Sequence, residues 1–359
     1  MPSLRRIWLR VHRWVALTLG WILIVVGLTG AVLVVARPLD RWLHPQYFLA
    51  NSVAAVGNAS LESVHQRLEK EFGQNVAFTF RPPRVPGETL QVLVRSAWRG
   101  TLFFDPASGL EQGRRGDDEG FVNIVFKIHS SLWMNETGKA LLAYTALAYL
   151  LLLISGFVVW WPKRWPPSLR LELRKGLLRG LFDVHRTGGA VLALAIAVSI
   201  ATGAFLAWRP IGGWITALSG ATRVQVPARV TGSGPTLPLD ELATRARDAF
   251  PQGAVGYLMI PALPDRPLRV RMRLPDDPHP NGLTSVWLNP RTGDILGKYR
   301  WDELEPGLRI NAVIYPLHTG ELGGPLLETV VACLGLMLGV LGGSGIWLWW
   351  RRRTSRSKG

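Results

Sequence analysis

The sequence predicts a membrane α+β protein with four transmembrane helices in two repeats, each repeat carrying a small external α+β module. Three observations lead there. Four apolar runs, 14–36, 140–161, 187–208 and 326–350, approach or exceed the ~20 residues that span a bilayer. Two kinds of histidine recur in fixed register. Val11-His12-Arg13 and Val184-His185-Arg186 each lead into an apolar helix in which Thr-Gly begins 17 residues after the His, at Thr29-Gly30 and Thr202-Gly203. His129 precedes Ser155-Gly156 by 26 residues, and His318 precedes Ser344-Gly345 by the same 26. The polar stretches between the spans also match, down to Asp105-Pro106-Ala107-Ser108-Gly109 in the first and Asn289-Pro290-Arg291-Thr292-Gly293 in the second.

Charge sets the expected topology. The chain of 359 residues carries a formal +16, and three short segments hold +14 of it. Residues 1–13 have four Arg and no acid; 162–186 have seven Lys or Arg against two acids; 351–359 have five Lys or Arg. They lie at alternate helix ends, so the positive-inside rule puts both termini and the middle loop in the cytoplasm. That placement argues for a lipid bilayer and against nucleic acid as the partner of the charge. The first apolar run lacks a small-residue cleavage site and reads as a retained anchor. The single cysteine, Cys333, excludes an internal disulfide, a Cys-rich iron–sulfur site and covalent c-type haem.

In order, residues 1–37 form the first transmembrane helix, expected to stop before Arg37-Pro38 because proline cannot continue a helix. Residues 38–139 form the first external module. There Leu61, Val64, Leu68 and Phe72 share one helical face behind Ser60 as N-cap, followed by strands at Val76–Phe80, Thr89–Arg95 and Thr101–Asp105. Residues 140–162 form the second span. Residues 163–184 form a basic cytoplasmic loop, which reads either as an amphipathic helix on the lipid surface or as a dock for an acidic electron donor. Residues 185–208 form the third span. Residues 209–325 repeat the module: a linker over Pro227–Pro238, a helix at Leu239–Phe250, and strands near Val255–Ile260, Leu268–Leu274 and Thr284–Leu288. Residues 326–350 form the fourth span, and 351–359 a basic tail.

The histidines carry the chemistry. A haem with both axial positions filled needs two neutral imidazoles and an apolar slot. His12 and His185 start helices on one side of the membrane and are predicted to hold one haem. His129 and His318 precede helices on the other side and are predicted to hold a second. The bland reading of each is an interfacial side chain, but four of them in duplicated registers argue for ligands. Glycines nearby serve either close haem approach or helix packing. Arg13 and Arg186 read either as propionate partners or as positive-inside anchors. His65 and His279 have no counterpart in the other repeat; His44 is the spare ligand candidate. There is no dinucleotide fingerprint, nucleophile elbow, carboxylate pair or zinc motif.

These features resemble a known family. Val-His-Arg before a helix ending Thr-Gly, Leu317-His318-Thr319-Gly320-Glu321-Leu322 before a helix ending Ser-Gly, and the Asp/Asn-Pro-x-Ser/Thr-Gly turns are similar to PepSY-associated transmembrane-helix proteins. The resemblance implies a bacterial inner-membrane protein with PepSY-like periplasmic modules and, by its haem-containing members, reduction of ferric siderophores. Carried over, His12, His129, His185 and His318 are axial ligands of two non-covalent haem b groups. The expected acceptor is a ferric siderophore or another ferric chelate, and the donor a quinol or a cytoplasmic reductase. The competing expectation is a haem-free PepSY protein acting as a protein-binding sensor or protease regulator. A transporter is disfavoured, since the four apolar runs carry no carboxylate in their interior, Glu328 standing at the start of the last.

Overall fold

The computed structural model describes residues 4–52, 59–162, 165–221, 226–227, 229–231 and 234–356. Lys163 and Arg164 of the basic loop, parts of the 227–238 linker and the last three residues of the tail lie outside them. The chain divides into two compact units. One comprises 1–36, 125–212 and 317–359, the other 37–124 and 213–316.

The first unit is a bundle of apolar helices. Among the described residues three are long and apolar enough to cross a membrane: Leu4–Leu43, Asn135–Trp160 and the last, Gly324–Arg356. The expected straight span at 185–208 is instead a bent pair, Leu177–Val191 and Ala193–Ala207, meeting at 67°. The count of spans is therefore three, or up to four if the pair counts as one. The bend follows a widened π turn over Val184–Gly188, which runs into Gly189. Two adjacent glycines give that turn little side-chain packing to hold it straight. Ile22, Ala146, Tyr149, Ile196, Ile200, Leu334 and Leu338, from all four stretches, share one buried cluster. Tyr149 buries its ring there and donates its hydroxyl to the Leu19 carbonyl at 2.7 Å. A Cβ on Gly335 would lie 2.5 Å from the Gly27 carbonyl, so this helix crossing requires glycine.

The first helix does not stop at Arg37-Pro38 but runs on to Leu43 with Pro38 inside it. Beyond it, His44 donates Nδ1–H to Asp40 at 2.9 Å. Buried Arg115 clamps the same carboxylate at 2.6 and 3.0 Å. That ion pair gives the last turn a tertiary anchor, which outweighs the backbone bond lost at proline.

The second unit is built on an antiparallel sheet, with two helices packed on the face that carries its core. Its strands are β1 Ala77–Arg81, β2 Leu90–Arg95, β3 Arg99–Phe104, β4 Glu111–Gly116, β5 Ala254–Ile260, β6 Leu268–Arg273, β7 Thr284–Leu288 and β8 Ile295–Tyr299. The order is β4-β3-β2-β1-β5-β6-β7-β8, so the two segments between the apolar helices join through β1 and β5 into one sheet of eight strands. Alternation puts Phe78, Phe80, Val92, Leu258, Val270, Met272 and Val286 on one face. There they bury the apolar stripes of the helices Leu61–Phe72 and Leu239–Ala249. The two helices cap each other. Asp240 accepts from the backbone N–H of Leu61 and Glu62 at 2.9 and 3.1 Å, and Glu62 accepts from that of Leu239 at 3.0 Å. The two matched turns share a geometry. Asp105 accepts from the N–H of Ala107 and Ser108, and Asn289 from that of Arg291, with Gly109 and Gly293 at φ +67° and +75°.

Candidate functional site: four histidine joints and a basic cavity

The four predicted histidines all lie in the helical unit, and the structure brings them together in two pairs. The rings of His12 and His185 have centroids 6.2 Å apart, and those of His129 and His318 6.1 Å apart. His12 and Thr29, which belong to different pairs, sit on one helix 17 residues apart, a rise of ~26 Å.

Each ring meets the hydroxyl-Gly motif of a different helix. His129 donates Nδ1–H to the Val26 carbonyl at 2.9 Å and lies 3.3 Å from Thr29 Oγ1. His318 lies 2.9 Å from Thr202 Oγ1. His12 donates to the Leu152 carbonyl at 3.2 Å and stands 3.1 Å from Ser155 Oγ. His185 donates to the Leu341 carbonyl at 2.9 Å and stands 3.3 Å from Ser344 Oγ. A carbonyl only accepts, so Nδ1 carries the proton and Nε2 keeps its lone pair. The hydroxyls point the same way: Thr29 and Thr202 already donate to Val25 and Val198, at 2.7 and 2.8 Å. They are left to accept from the rings. This is the tautomer and support that a metal-ligating imidazole needs.

The glycine after each hydroxyl makes the room. A Cβ would come within 2.8 Å of His129 at Gly30, 3.1 Å of His12 at Gly156, 3.1 Å of His185 at Gly345 and 3.2 Å of His318 at Gly203. The spacing of each pair also suits one metal between two rings. Metal–imidazole bonds of about 2 Å on opposite sides put ring centroids ~6 Å apart. Pairs, not clusters, are what the fold offers: among the described residues no group of three or more His, Cys, Asp or Glu could hold a metal ion.

His129 reaches its place on a short helix, Phe121–Ser131, which turns back sharply into the next. Leu132, Trp133 and Asn135 take positive φ (49°, 64° and 50°) in that turn, a strained backbone for non-glycine residues. A Cβ on Gly138 would fall 1.6 Å from the Ser131 carbonyl, so the turn closes only on glycine. His318 ends the helix Pro306–Thr319. Arg186 lies 3.9 Å from buried Asp183, while Arg13 is exposed. His44 belongs to the other unit, tied to Asp40 and stacked on Tyr47. His65 packs edge-on against Phe78 and is buried.

Sequence reading passed over a second feature, in the sheet unit. A cavity of about 570 Å³ opens on the sheet face opposite the two helices. Its floor is a row of cross-strand partners, Tyr257, Arg271, Ser285 and Tyr299, beside a second row with Arg269 and Trp287. His279, 4% exposed, lines it too. Burial and the neighbouring Arg271, Arg84, Arg37 and Arg81 push the imidazole down to about 4. Burial, then Arg271, brings Arg269 down to about 10. The signal was present in Leu268-Arg269-Val270-Arg271-Met272-Arg273, an alternation with arginine on the face away from the core.

No curated protein matches the chain. The sequence does match the family model described as PepSY-associated TM region, over residues 9–352. That match takes in both strand-bearing segments, the apolar helices and all four joints, and the chain belongs to the PepSY-associated transmembrane family.

Proposed function

We propose that this chain is a di-haem b-type electron-transfer protein of a bacterial inner membrane. It reduces a ferric siderophore or another ferric chelate in the periplasm and releases ferrous iron. One observation carries the reading: the same joint, a histidine whose Nδ1 is engaged by the hydroxyl-Gly turn of another helix, occurs four times and forms two pairs at about 6 Å.

His12 with His185 would hold one haem, and His129 with His318 the other. When bound, the haems supply one-electron carriers, and two imidazoles on each iron leave no open position for oxygen. The chain does the rest. Carbonyl and hydroxyl acceptors fix each tautomer and keep Nε2 basic. The glycines leave space beside each ring, and the apolar helices exclude water. The donor is a quinol or a cytoplasmic reductase. Each electron turns one ferric ion ferrous, and a quinol oxidised to quinone supplies two electrons and releases two protons. The chelate holds the ferrous ion more weakly, so reduction releases it.

The placement of +14 on three short segments supports four spans with the bent pair as one, both termini in the cytoplasm and two periplasmic modules. Reporter fusions after Trp165 and at the C-terminus test this and should read cytoplasm, while fusions at Gly109 and Gly293 should read periplasm. The pyridine haemochrome assay tests the function. Purified protein should carry about two non-covalent haem b groups per chain, and absence of haem, or c-type haem, would reject the reading.

A further inference from the structure

We propose that the cavity on the face of β5–β8 opposite the helices Leu61–Phe72 and Leu239–Ala249 binds the chelate, and that it selects an anionic one with aromatic donor groups, of the tris-catecholate kind. This names the substrate class of the reductase above and rests on that reading.

The cavity is built for negative charge. Arg37, Arg81, Arg269, Arg271 and His279 line it, and among its described lining residues none is acidic. The two arginines at its floor are not spent on carboxylates. Arg269 gives its hydrogen bonds to the Ser285 hydroxyl, at 2.8 and 3.2 Å. Arg271 bonds the Gly282 carbonyl, and its Nε is buried without a partner. Asp277 attracts Arg271, but its oxygens accept from the backbone N–H of Leu283 and Leu274. Burial, opposed only in part by those bonds, raises its carboxyl. Burying uncompensated cations costs stability, and guanidinium does not escape the cost by losing its proton. A site that carries such a cost is organised for a ligand.

The fold does not ask for this charge. In the other half of the sheet, β2 pairs with β3 through Gln91–Phe103 and Leu93–Thr101. The matching pairs of β6 and β7 are Arg269–Trp287 and Arg271–Ser285. At these matched positions the first half of the sheet has Gln91 and Leu93, and the second has Arg269 and Arg271.

Size and walls narrow the ligand. At about 570 Å³ the cavity is of small-molecule size, far larger than an inorganic anion. Arg269 lies over Trp287 at 4.9 Å and Arg271 near Tyr257 at 5.8 Å. Tyr315 stacks obliquely with His279 at 5.5 Å. Flat rings pack between such walls, while guanidinium forks take phenolate oxygens. The helix that brings Tyr315 to the cavity carries His318 in its last turn.

The test is calorimetric titration of the detergent-purified full chain with two gallium(III) complexes, one of a linked tris-catechol and one of a neutral trihydroxamate. Gallium matches ferric iron in charge and size and is not reduced, so binding is read apart from electron transfer. The catecholate complex should bind at one site per chain and weaken as salt rises, and the trihydroxamate should bind at least ~10-fold more weakly. Arg269→Gln and Arg271→Gln should each lose about tenfold or more, and Arg269→Lys, which keeps the charge, should lose less than Arg269→Gln. Trp287→Leu should weaken binding with every charge intact, a check that does not depend on how the arginine variants fold. Equal affinity for the two complexes, or full affinity in Arg269→Gln/Arg271→Gln, overturns the proposal. Tight binding of the catecholate by a chain without haem would reject the reductase and leave this site standing; reduction of both kinds of chelate with no charge preference would do the reverse.

Discussion

Thr202 Oγ1 and His318 Nδ1 meet at 2.9 Å, across two separate helices. The threonine hydroxyl donates within its own helix, to Val198, and so accepts from the ring. Loss of the hydroxyl should free the ring to rotate without removing it. Thr202→Val should therefore keep about two haems per chain but shed one of them to excess apomyoglobin about tenfold faster, the scale of a lost supporting bond at a metal ligand. An unchanged shedding rate would separate the joint from haem retention.

The glycines predict a graded series. A Cβ at residue 30 approaches His129 to 2.8 Å, at 156 and 345 approaches His12 and His185 to 3.1 Å, and at 203 approaches His318 to 3.2 Å. Contacts that short force the ring or the helix to shift. Gly30→Ala should cost the His129/His318 haem most of its occupancy. Gly203→Ala should only shift its spectrum, with Gly156→Ala and Gly345→Ala between them at the other haem. Haem content of the four variants decides this, and equal losses would reject the steric account.

Much of this was legible from spacing alone. The 17- and 26-residue registers marked the four histidines and both hydroxyl-Gly motifs. They did not reveal that each motif serves a histidine of another helix, because contacts between helices leave no local period. The bend between Val191 and Ala193 was hidden for a similar reason: hydropathy is blind to helix direction. β4 escaped because Glu111–Gly116 has no apolar alternation. β8 is five residues in which Ile295 and Leu296 are adjacent and Gly297 follows, so no period of two shows. The burial of His279 left no trace in the sequence, since only tertiary packing makes it.

The Asp40–Arg115 pair is the clearest stability test in the sheet unit. Both side chains are about nine-tenths buried and joined by two hydrogen bonds. Asp40→Ala strands a buried guanidinium and should destabilise by about 3–5 kcal/mol in chemical unfolding. Asp40→Ala with Arg115→Leu should recover most of that loss. If the double variant is no better than the single one, the cost lies in helix packing rather than the stranded charge.

His279 predicts a pH dependence. Its folded value is about 4 against an unfolded 6.5, so between those limits the unfolded chain binds a proton that the folded chain refuses. Stability is whole above about 6.5, falls as pH drops towards 4 and levels off below, by up to ~3 kcal/mol. His279→Gln should flatten the decline in thermal midpoint between pH 7 and 4.5 relative to wild type. Parallel curves for the two proteins would mean that the imidazole titrates normally.

Pairing of the histidines gives the test closest to mechanism. His12 stands beside His185 and His129 beside His318, with both rings of each pair tethered through Nδ1. The first helix separates the two places by a rise of ~26 Å between His12 and Thr29. No side chain bridges that span, so each pair acts alone. His12→Ala and His185→Ala should each remove the same haem and leave the other six-coordinate; His129→Ala and His318→Ala should remove the other. All four should stop electron delivery to a ferric chelate, since the remaining gap is too long for one transfer. The His129 and His318 variants should still be reduced at the His12/His185 haem by the donor. Spectra and redox titrations of the four variants decide it. If His12→Ala and His129→Ala erase the same haem, or if all four variants keep two six-coordinate haems, the ligands lie elsewhere, and His44, held by Asp40 through one ring nitrogen, is the next to replace.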